Sequence, residues 1–410
     1  MDLLRLITCG HVDDGKSTLL GRLLHDTKSI FEDQWAALER ASSARGDRAA
    51  NLAFLTDGLR AEREQGITID VAYRYFATPQ RKFILADCPG HFHFTRNLVT
   101  GASTAHVALL LVDVRHGLTE QNCRHAFLCT LLGVRHLIVC VNKMDLVEHR
   151  QEAFARVREQ FMAYAERLEG ADIQFVPLSA LHGDNVVEKS PRFPWYDGPA
   201  LLYLLENLYI RNAANHVDPR FPVQLALAPA DGGPPLLAGQ VASGVFRPGD
   251  EIVRLPGGES ARVVRIHGPA GPVAEAFHPM SVAFELDRDL GAARGDLLAR
   301  PLNQPVATAE FEAMICWLDD APYSPGRPLL LRHTTRETAV ELTAVRYVLD
   351  PQTLHRRTSD GALASNDIAR VRLRCATPIF ADNYRRNRGT GGLLLIDATT
   401  AQTVAAGLVW

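Results

Sequence analysis

Apolar runs alternate with helical stretches over the first half of the chain. The runs are five to eight residues long and are, in order, RLITC, KFILAD, VALLLVDV, HLIVCVNK and IQFVPLSA. Strands that alternate with helices are typical of a parallel sheet covered by helices, which binds ligands at the carboxyl ends of its strands. The pattern therefore predicts an α/β domain with a parallel sheet over residues 1–215.

One long stretch interrupts this alternation, from about Phe31 to Gly66. It contains EDQWAALERASSARGDRAA, which is charged, rich in alanine and helical in character. We interpret it as an insertion between the first helix and the second strand. Long insertions in compact domains are usually mobile or functional.

The pattern changes in the second half of the chain. From about Pro222, short β-branched runs are separated by glycine and proline, as in AGQVASGVFRPGDEIVRLPGGESARVVRIHG. Such spacing is typical of a small antiparallel barrel. The segment LNQPVATAEF marks a second boundary, and strand-like runs follow it again. The sequence therefore predicts two all-β barrel domains, over residues 216–304 and 305–410.

Composition narrows the classes of protein. A chain of 410 residues is long enough for two or three domains, and its formal net charge of −3 does not favour a surface specialised for nucleic acid. The seven cysteines form no CxxC pair, so neither a disulfide framework nor a zinc site is indicated. No signal peptide and no membrane-spanning run are visible. We expect a cytoplasmic protein that binds neither nucleic acid nor membrane.

The segment GHVDDGKST, directly after the first strand, has the spacing of a phosphate-binding loop. Its glycines allow backbone N–H groups to surround phosphate oxygens, Lys16 reaches the β- and γ-phosphates, and the Ser17 hydroxyl can ligate Mg²⁺. A helical stretch, TLLGRLLHD, follows, and a helix N-terminus favours anions. The alternative is a glycine-rich turn without a ligand. The predicted nucleotide contacts in this loop are Gly10, His11, Val12, Asp13, Asp14, Gly15, Lys16, Ser17 and Thr18.

Two further motifs suit the metal ion and the terminal phosphate. GITID ends the insertion and offers the Thr68 hydroxyl, and ADCPGH follows a strand. In ADCPGH, Asp87 can hold the ion through water, and the Gly90 N–H can contact the γ-phosphate. The predicted Mg²⁺ ligands are therefore Ser17, Thr68 and Asp87.

Two motifs near the ends of later strands suit a guanine base. In NKMD, the Asp145 carboxylate can accept hydrogen bonds from guanine N1 and N2, which adenine cannot supply. VPLSAL places Ser179 and the Ala180 N–H beside the same base. Some of these motifs are weak singly, but five in order at strand ends strongly indicate GTP. The predicted base contacts are Asn142, Lys143, Asp145, Ser179, Ala180 and Leu181.

The same motifs resemble the translation-factor class of GTPases. DGLRAEREQGITIDVAYRYF, RHLIVCVNKMDLV and SALHGDNVV followed by PWYDGPALL are similar, more narrowly, to the large GTP-binding subunit of bacterial sulfate adenylyltransferase. Eukaryotic-type elongation factors share part of this pattern. The narrower resemblance therefore depends on VASGVFRPGDEIVRLP and NYRRNRGTGGLLLIDATTAQTVAAG in the two later domains. It covers essentially the whole chain, and without a second phosphate loop we expect no fused adenylyl-sulfate kinase domain.

The resemblance implies an activity and a partner. It implies a GTP hydrolase in which Lys16 stabilises the phosphates, His91 orients the attacking water, and Val12 and Ile67 form an apolar gate. It also implies a small catalytic subunit that makes adenylyl sulfate from ATP and sulfate, driven by GTP hydrolysis in this chain. Two alternatives stay open: a translation factor that delivers aminoacyl-tRNA, and a diverged regulatory paralogue.

Two features qualify this picture. The family has Glu-Gln-Tyr after DCPGH where this chain has Phe92, His93 and Phe94, so coupling to a partner is in question. His125 lies between two cysteines in TEQNCRHAFLCTLLG, which we interpret as a core-facing helix rather than a metal site.

We predict that GTP binds more tightly than ATP, because the Asp145 carboxylate matches the donors of guanine. Isothermal titration calorimetry with both nucleotides measures this directly. Equal affinity for ATP, or no binding of either nucleotide, would contradict the assignment of the loop.

Overall fold

The computed structural model describes residues 2–29, 70–210, 215–228 and 235–410. Contacts group the chain into two compact units, one of Met1–Arg211 with Asp350–His355 and one of Asn212–Leu349 with Arg356–Trp410. The predicted insertion, together with Ile67 and Thr68, lies outside the described residues. The bounds of the three predicted domains stay predictions.

A mixed sheet forms the centre of the first unit. Its described strands have the order β2-β3-β1-β4-β5-β6. Five of them are parallel and correspond to the five predicted runs, whereas β2 pairs antiparallel to β3 at the edge. The pattern did not predict β2, because this half-exposed strand carries polar and aromatic residues instead of an apolar run. The strands are β1 (Leu3–Gly10), β2 (Ala72–Ala77), β3 (Lys82–Asp87), β4 (Val107–Asp113), β5 (His136–Asn142) and β6 (Asp172–Pro177).

Helices connect these strands and shield the sheet from water. Every residue of β4 is buried, which explains its continuous apolar sequence, since a central parallel strand is covered on both faces. Within the described residues, no helix combines the length and apolarity needed to cross a bilayer. The helices of this unit are α1 (Lys16–Asp26), α2 (Thr95–Thr104), α3 (Glu120–Leu131), α4 (Gln151–Ala165) and α5 (Leu201–Asn207), with short 3₁₀ helices at Phe92–Phe94 and Met144–Val147.

The second unit contains two closed antiparallel sheets, as predicted. In the first, β10-β15-β7-β8-β14-β11-β12 is closed by pairing of β10 with β11, and in the second, β17-β21-β22-β16-β20-β18-β19 is closed by pairing of β17 with β18. Each encloses its own apolar core. The first comprises β7 (Arg220–Leu227), β8 (Leu236–Gln240), β10 (Glu251–Leu255), β11 (Ser260–Gly268), β12 (Gly271–Val273), β14 (Ser281–Leu286) and β15 (Leu297–Ala299), beside a two-stranded sheet of β9 (Val245–Phe246) and β13 (Ala276–Phe277). The second comprises β16 (Val306–Trp317), β17 (Leu329–His333), β18 (Arg336–Leu349), β19 (Arg356–Arg357), β20 (Ile368–Ala381), β21 (Gly392–Asp397) and β22 (Thr403–Val409), with a short helix α6 (Arg388–Gly391).

A buried ion pair joins these two sheets. Arg220, at the start of β7, donates from Nε and Nη2 to the two oxygens of Asp382, just after β20, at 2.9 and 3.1 Å. Nη1 of the same arginine donates to the Asn303 carbonyl at 2.7 Å, and the Thr390 hydroxyl donates to Asp382 at 2.6 Å. The arginine is 1% and the aspartate 9% exposed. A buried pair is favourable only when such additional hydrogen bonds satisfy both groups.

We predict that Arg220→Met destabilises the second unit by about 3–5 kcal/mol, because it leaves a buried carboxylate without its cation. Urea-induced unfolding followed by tryptophan fluorescence measures the loss. Arg247→Met is the matched control, since the Arg247–Glu275 pair is exposed on both sides, and its effect should stay within about 1 kcal/mol. Equal effects of the two substitutions would contradict a special role for the buried pair.

Candidate nucleotide-binding site

The predicted phosphate loop connects β1 to α1, and its backbone requires glycine at two positions. Gly10 has φ +141° and Gly15 has φ +93°. A Cβ atom at Gly10 would lie 2.6 Å from the Leu111 carbonyl oxygen, and one at Gly15 would collide with the Asn142 side chain. The loop is therefore pressed against the ends of β4 and β5, and a side chain at either glycine would displace it.

Lys16 directs its ammonium group into this loop. The side chain is 6% exposed, and Nζ donates to the His11 carbonyl at 2.7 Å and to the Gly10 carbonyl at 3.3 Å. Burial lowers the pKa of Lys16, against the opposing influence of the Asp14 and Asp87 carboxylates. A positive charge thus lies inside the loop in which the sequence predicts that phosphate binds.

Side chains of helix α3 support the phosphate loop through hydrogen bonds, a role that the sequence did not predict. The Asp14 carboxylate accepts from the His11 N–H at 2.7 Å and from Asn122 Nδ2 at 3.1 Å. His125 Nδ1 accepts from the Gly10 N–H at 3.0 Å. Burial lowers the pKa of His125 to about 3, so the ring is neutral and suited to accept. The three-residue spacing of Asn122 and His125 on a helix was the signal that could have indicated this role.

The DCPGH segment lies against the same loop. Asp87, the last residue of β3, is 1% exposed and accepts from the Thr8 hydroxyl at 2.8 Å. A Cβ atom at Gly90 would lie 2.8 Å from the Gly10 carbonyl oxygen and would also collide with Lys16 Nζ. The hydroxyl of Ser17 and the carboxylate of Asp87 are oxygen donors of the kind that Mg²⁺ prefers, so the described residues fit this ion. Thr68, the third predicted ligand, lies outside the described residues.

His91 is exposed at the start of the short helix Phe92–Phe94. Its Nδ1 accepts from the His93 N–H at 3.4 Å, and the two rings stack with centroids 5.1 Å apart. Phe92, at one of the positions that depart from the family pattern, lies under the Arg124 guanidinium at 4.9 Å. One of the departing residues therefore forms a contact between this turn and α3.

Asn142 links the phosphate loop to the predicted base loop. Its Nδ2 donates to the Asp14 carbonyl at 2.7 Å, and its Oδ1 accepts from the Ala180 N–H at 3.0 Å. From α1, Arg22 Nε donates to the Ala180 carbonyl at 3.2 Å. The side chain of Leu181 is 58% exposed, so this residue contributes no core contact that would compete with a ligand.

Neighbouring side chains hold the carboxylate of Asp145, three residues after Asn142, in place. Its Oδ1 accepts from the Ser179 hydroxyl at 2.6 Å, and His182 Nε2 lies 3.9 Å from its Oδ2. The preceding Lys143 has φ +61° and begins the short helix that carries the aspartate. The structure thus brings the predicted residues of the phosphate loop, DCPGH, NKMD and SAL to one edge of the sheet. Only the GITID contribution falls outside what it describes.

Two family models match the chain. The Elongation factor Tu GTP binding domain matches residues 1–219, and the GTP-eEF1A C-terminal domain-like family matches residues 310–410. The first covers the whole site described above, and the second covers the second closed sheet.

Several relatives match this chain over almost all of its length. The chain is 55% identical over 411 residues to the bifunctional enzyme CysN/CysC of Mycobacterium tuberculosis, covering 99% of this chain and 67% of that protein. It is 45% identical over 421 residues to sulfate adenylyltransferase subunit 1 of Bacteroides thetaiotaomicron, covering 100% of this chain and 86% of that protein. The corresponding protein of Laribacter hongkongensis is 46% identical, with 100% and 85% covered. This chain, whose GTP-binding domain has the geometry described above and which spans about 85% of the length of these subunits, belongs to the family of subunit 1 of sulfate adenylyltransferase, the GTP-binding subunit of that enzyme.

Proposed function

We propose that this chain hydrolyses Mg²⁺-bound GTP and uses the reaction to drive formation of adenylyl sulfate from ATP and sulfate on a separate small catalytic subunit. The observation that carries the proposal is the Asn142 side chain, which joins the phosphate loop to the base loop through two hydrogen bonds. A nucleotide that spans both loops fits this arrangement. The similarity to subunit 1 proteins over the whole chain supports the enzyme class.

Recognition of the base rests on Asp145. The Ser179 hydroxyl orients one carboxylate oxygen, and the side chain is 14% exposed, so the group is largely withdrawn from water. Guanine presents N1–H and N2–H donors to a carboxylate, whereas adenine presents an acceptor at N1. A hydrogen bond to a charged group is worth about 1.5–3 kcal/mol, which is sufficient to select GTP.

Charge stabilisation rests on the phosphate loop. The buried Lys16 ammonium would pair with phosphate oxygens, and the first backbone N–H groups of α1 favour anions. A preorganised cation in a site with little water stabilises charge more strongly than the same cation in bulk water. Mg²⁺, held by Ser17, Asp87 and Thr68, would supply further positive charge against the β- and γ-phosphates.

Orientation of the attacking water is assigned to His91. Its Nδ1 accepts from the His93 N–H, which leaves Nε2 of the exposed ring to contact water. A neutral imidazole suffices for this role, because phosphoryl transfer to water depends on positioning more than on strong base catalysis.

Coupling requires that GTP and GDP states make different contacts with the partner subunit. Adenylyl sulfate is a mixed phosphate–sulfate anhydride, so its formation is strongly unfavourable without an energy source. The segments able to respond to the γ-phosphate are the stretch that ends at Thr68 and the turn and helix after Gly90. Phe92, His93 and Phe94 lie in the second segment, so we propose that this turn contacts the small subunit.

We predict that His91→Ala lowers partner-stimulated GTP hydrolysis roughly a hundredfold or more, because water is no longer oriented. GTP-dependent release of pyrophosphate by the complex should fall in parallel, whereas affinity for GDP should not change. Stopped-time assays of phosphate and pyrophosphate, with and without the small subunit, measure both rates.

His136→Ala is the control, since this histidine lies at the start of β5, at the opposite end of the strand from Asn142, and the variant should retain most of the rate. Full activity of His91→Ala would contradict the assigned role. If the unsubstituted chain binds GTP normally but the small subunit does not stimulate its turnover, a regulatory paralogue is favoured instead. Salt-sensitive, GTP-dependent binding of aminoacyl-tRNA in a filter assay would favour a translation factor.

A further inference from the structure

A buried carboxylate outside the predicted motifs lies next to the base site. Asp113 is the last residue of β4 and pairs in register with Asn142 at the end of β5. Its side chain is 1% exposed, and the Val114 N–H that follows it donates to the Asn142 carbonyl at 3.1 Å. The carboxylate is therefore built into the same strand edge that carries NKMD.

Two cations contact this carboxylate. Lys143 Nζ lies 3.0 Å from Oδ2, and Arg115 donates from its backbone N–H at 2.9 Å, from Nε at 3.1 Å and from Nη2 at 2.6 Å. Burial acts to raise the pKa of the Asp113 carboxyl, but the hydrogen bonds from Arg115 and Lys143 outweigh it and hold this pKa below its usual range. Asp113 is thus an anion at any physiological pH.

A second anion, Asp145, influences one of these cations and follows the other closely in the chain. Lys143 lies two residues before Asp145 in the chain, and Asp145 contributes to the raised pKa of Arg115, after the larger effect of Asp113. The Lys143 backbone has φ +61°, an uncommon conformation for a residue other than glycine. The ion pair with Asp113 holds the end of the Lys143 side chain. We take Asp145, two residues further along the chain, as the alternative partner of this ammonium.

We propose that Asp113 is a positioning residue for guanine recognition, which keeps Lys143 away from Asp145 so that the Asp145 carboxylate stays available for the base. The inference rests on the proposed contact between Asp145 and guanine. The inference predicts that loss of the Asp113 charge specifically weakens the preference for a base that carries the N2 amino group. Lys143 would then occupy the Asp145 carboxylate, which this amino group needs as its acceptor.

The test compares GTP with inosine triphosphate, which lacks the N2 amino group. Calorimetry gives the ratio of the two affinities for the full chain and for Asp113→Asn, Lys143→Met and the double variant. A hydrogen bond to a charged acceptor corresponds to roughly a ten- to hundredfold preference for GTP. We expect this preference in the unsubstituted chain and its loss to within about threefold in Asp113→Asn. In the double variant we expect the ratio to return to that of Lys143→Met, which serves as its reference.

Asp172→Asn is the matched control. Asp172 pairs with His136 at 3.0 Å at the opposite ends of β5 and β6, so its substitution should leave the ratio unchanged. If Asp113→Asn is too unstable to purify, the double variant is compared with Lys143→Met alone, and equal ratios are expected.

Three outcomes would overturn the inference. A normal ratio in Asp113→Asn with a lowered unfolding temperature would show that Asp113 only stabilises the fold. A ratio that stays collapsed in the double variant would show that Lys143 is not the competitor. A lack of preference for GTP in the unsubstituted chain would remove the proposed base contact itself, and is thereby distinguishable from failure of the inference alone.

Discussion

The site depends on the two hydrogen bonds of the Asn142 amide. This side chain is 2% exposed, donates to the Asp14 carbonyl and accepts from the Ala180 N–H. Only a short side chain with a donor and an acceptor can make both bonds, since a carboxylate lacks the donor and glutamine is one methylene longer. Because the amide is at the end of a central strand, the loops for phosphate and base are held at one separation, which suits a ligand that reaches across both.

Among the described residues, buried charges have an opposite charge close by at three places. Lys16 lies within the fields of Asp14 and Asp87, Lys143 pairs with Asp113, and in the second unit Arg220 pairs with Asp382. Burial of an unpaired ion is very unfavourable, so each pair is maintained by further hydrogen bonds. Under the proposed function, Lys16 is already in place before phosphate binds, so little reorganisation is needed.

Helix α3 contacts both the phosphate loop and the turn after His91. Asn122 and His125 form hydrogen bonds with the loop, and Arg124 covers Phe92 in the turn. The capping box formed by Thr119 and Asn122 fixes where the helix begins, and therefore where these side chains lie. The apolar residue at position 92 thus has a structural partner in this chain.

The sequence by itself determined the parts that depend on local pattern. Apolar runs that alternate with helical stretches indicated the five parallel strands, and the spacing of Gly10, Lys16 and Ser17 indicated the phosphate loop, because hydrophobic pattern, glycine conformation and side-chain chemistry are local properties. The edge strand β2 was missed, since exposure on one side removes its apolar run.

Only the tertiary structure decided which distant residues meet. Asn142 with Ala180, His125 with Gly10, and Lys143 with Asp113 are brought together by the register of β1, β4 and β5 and by the packing of α3. No local pattern encodes these contacts, because each is set by how separate elements pack. The chemistry of the site was therefore readable in the chain, whereas the hydrogen bonds that hold its groups in place emerged from the fold.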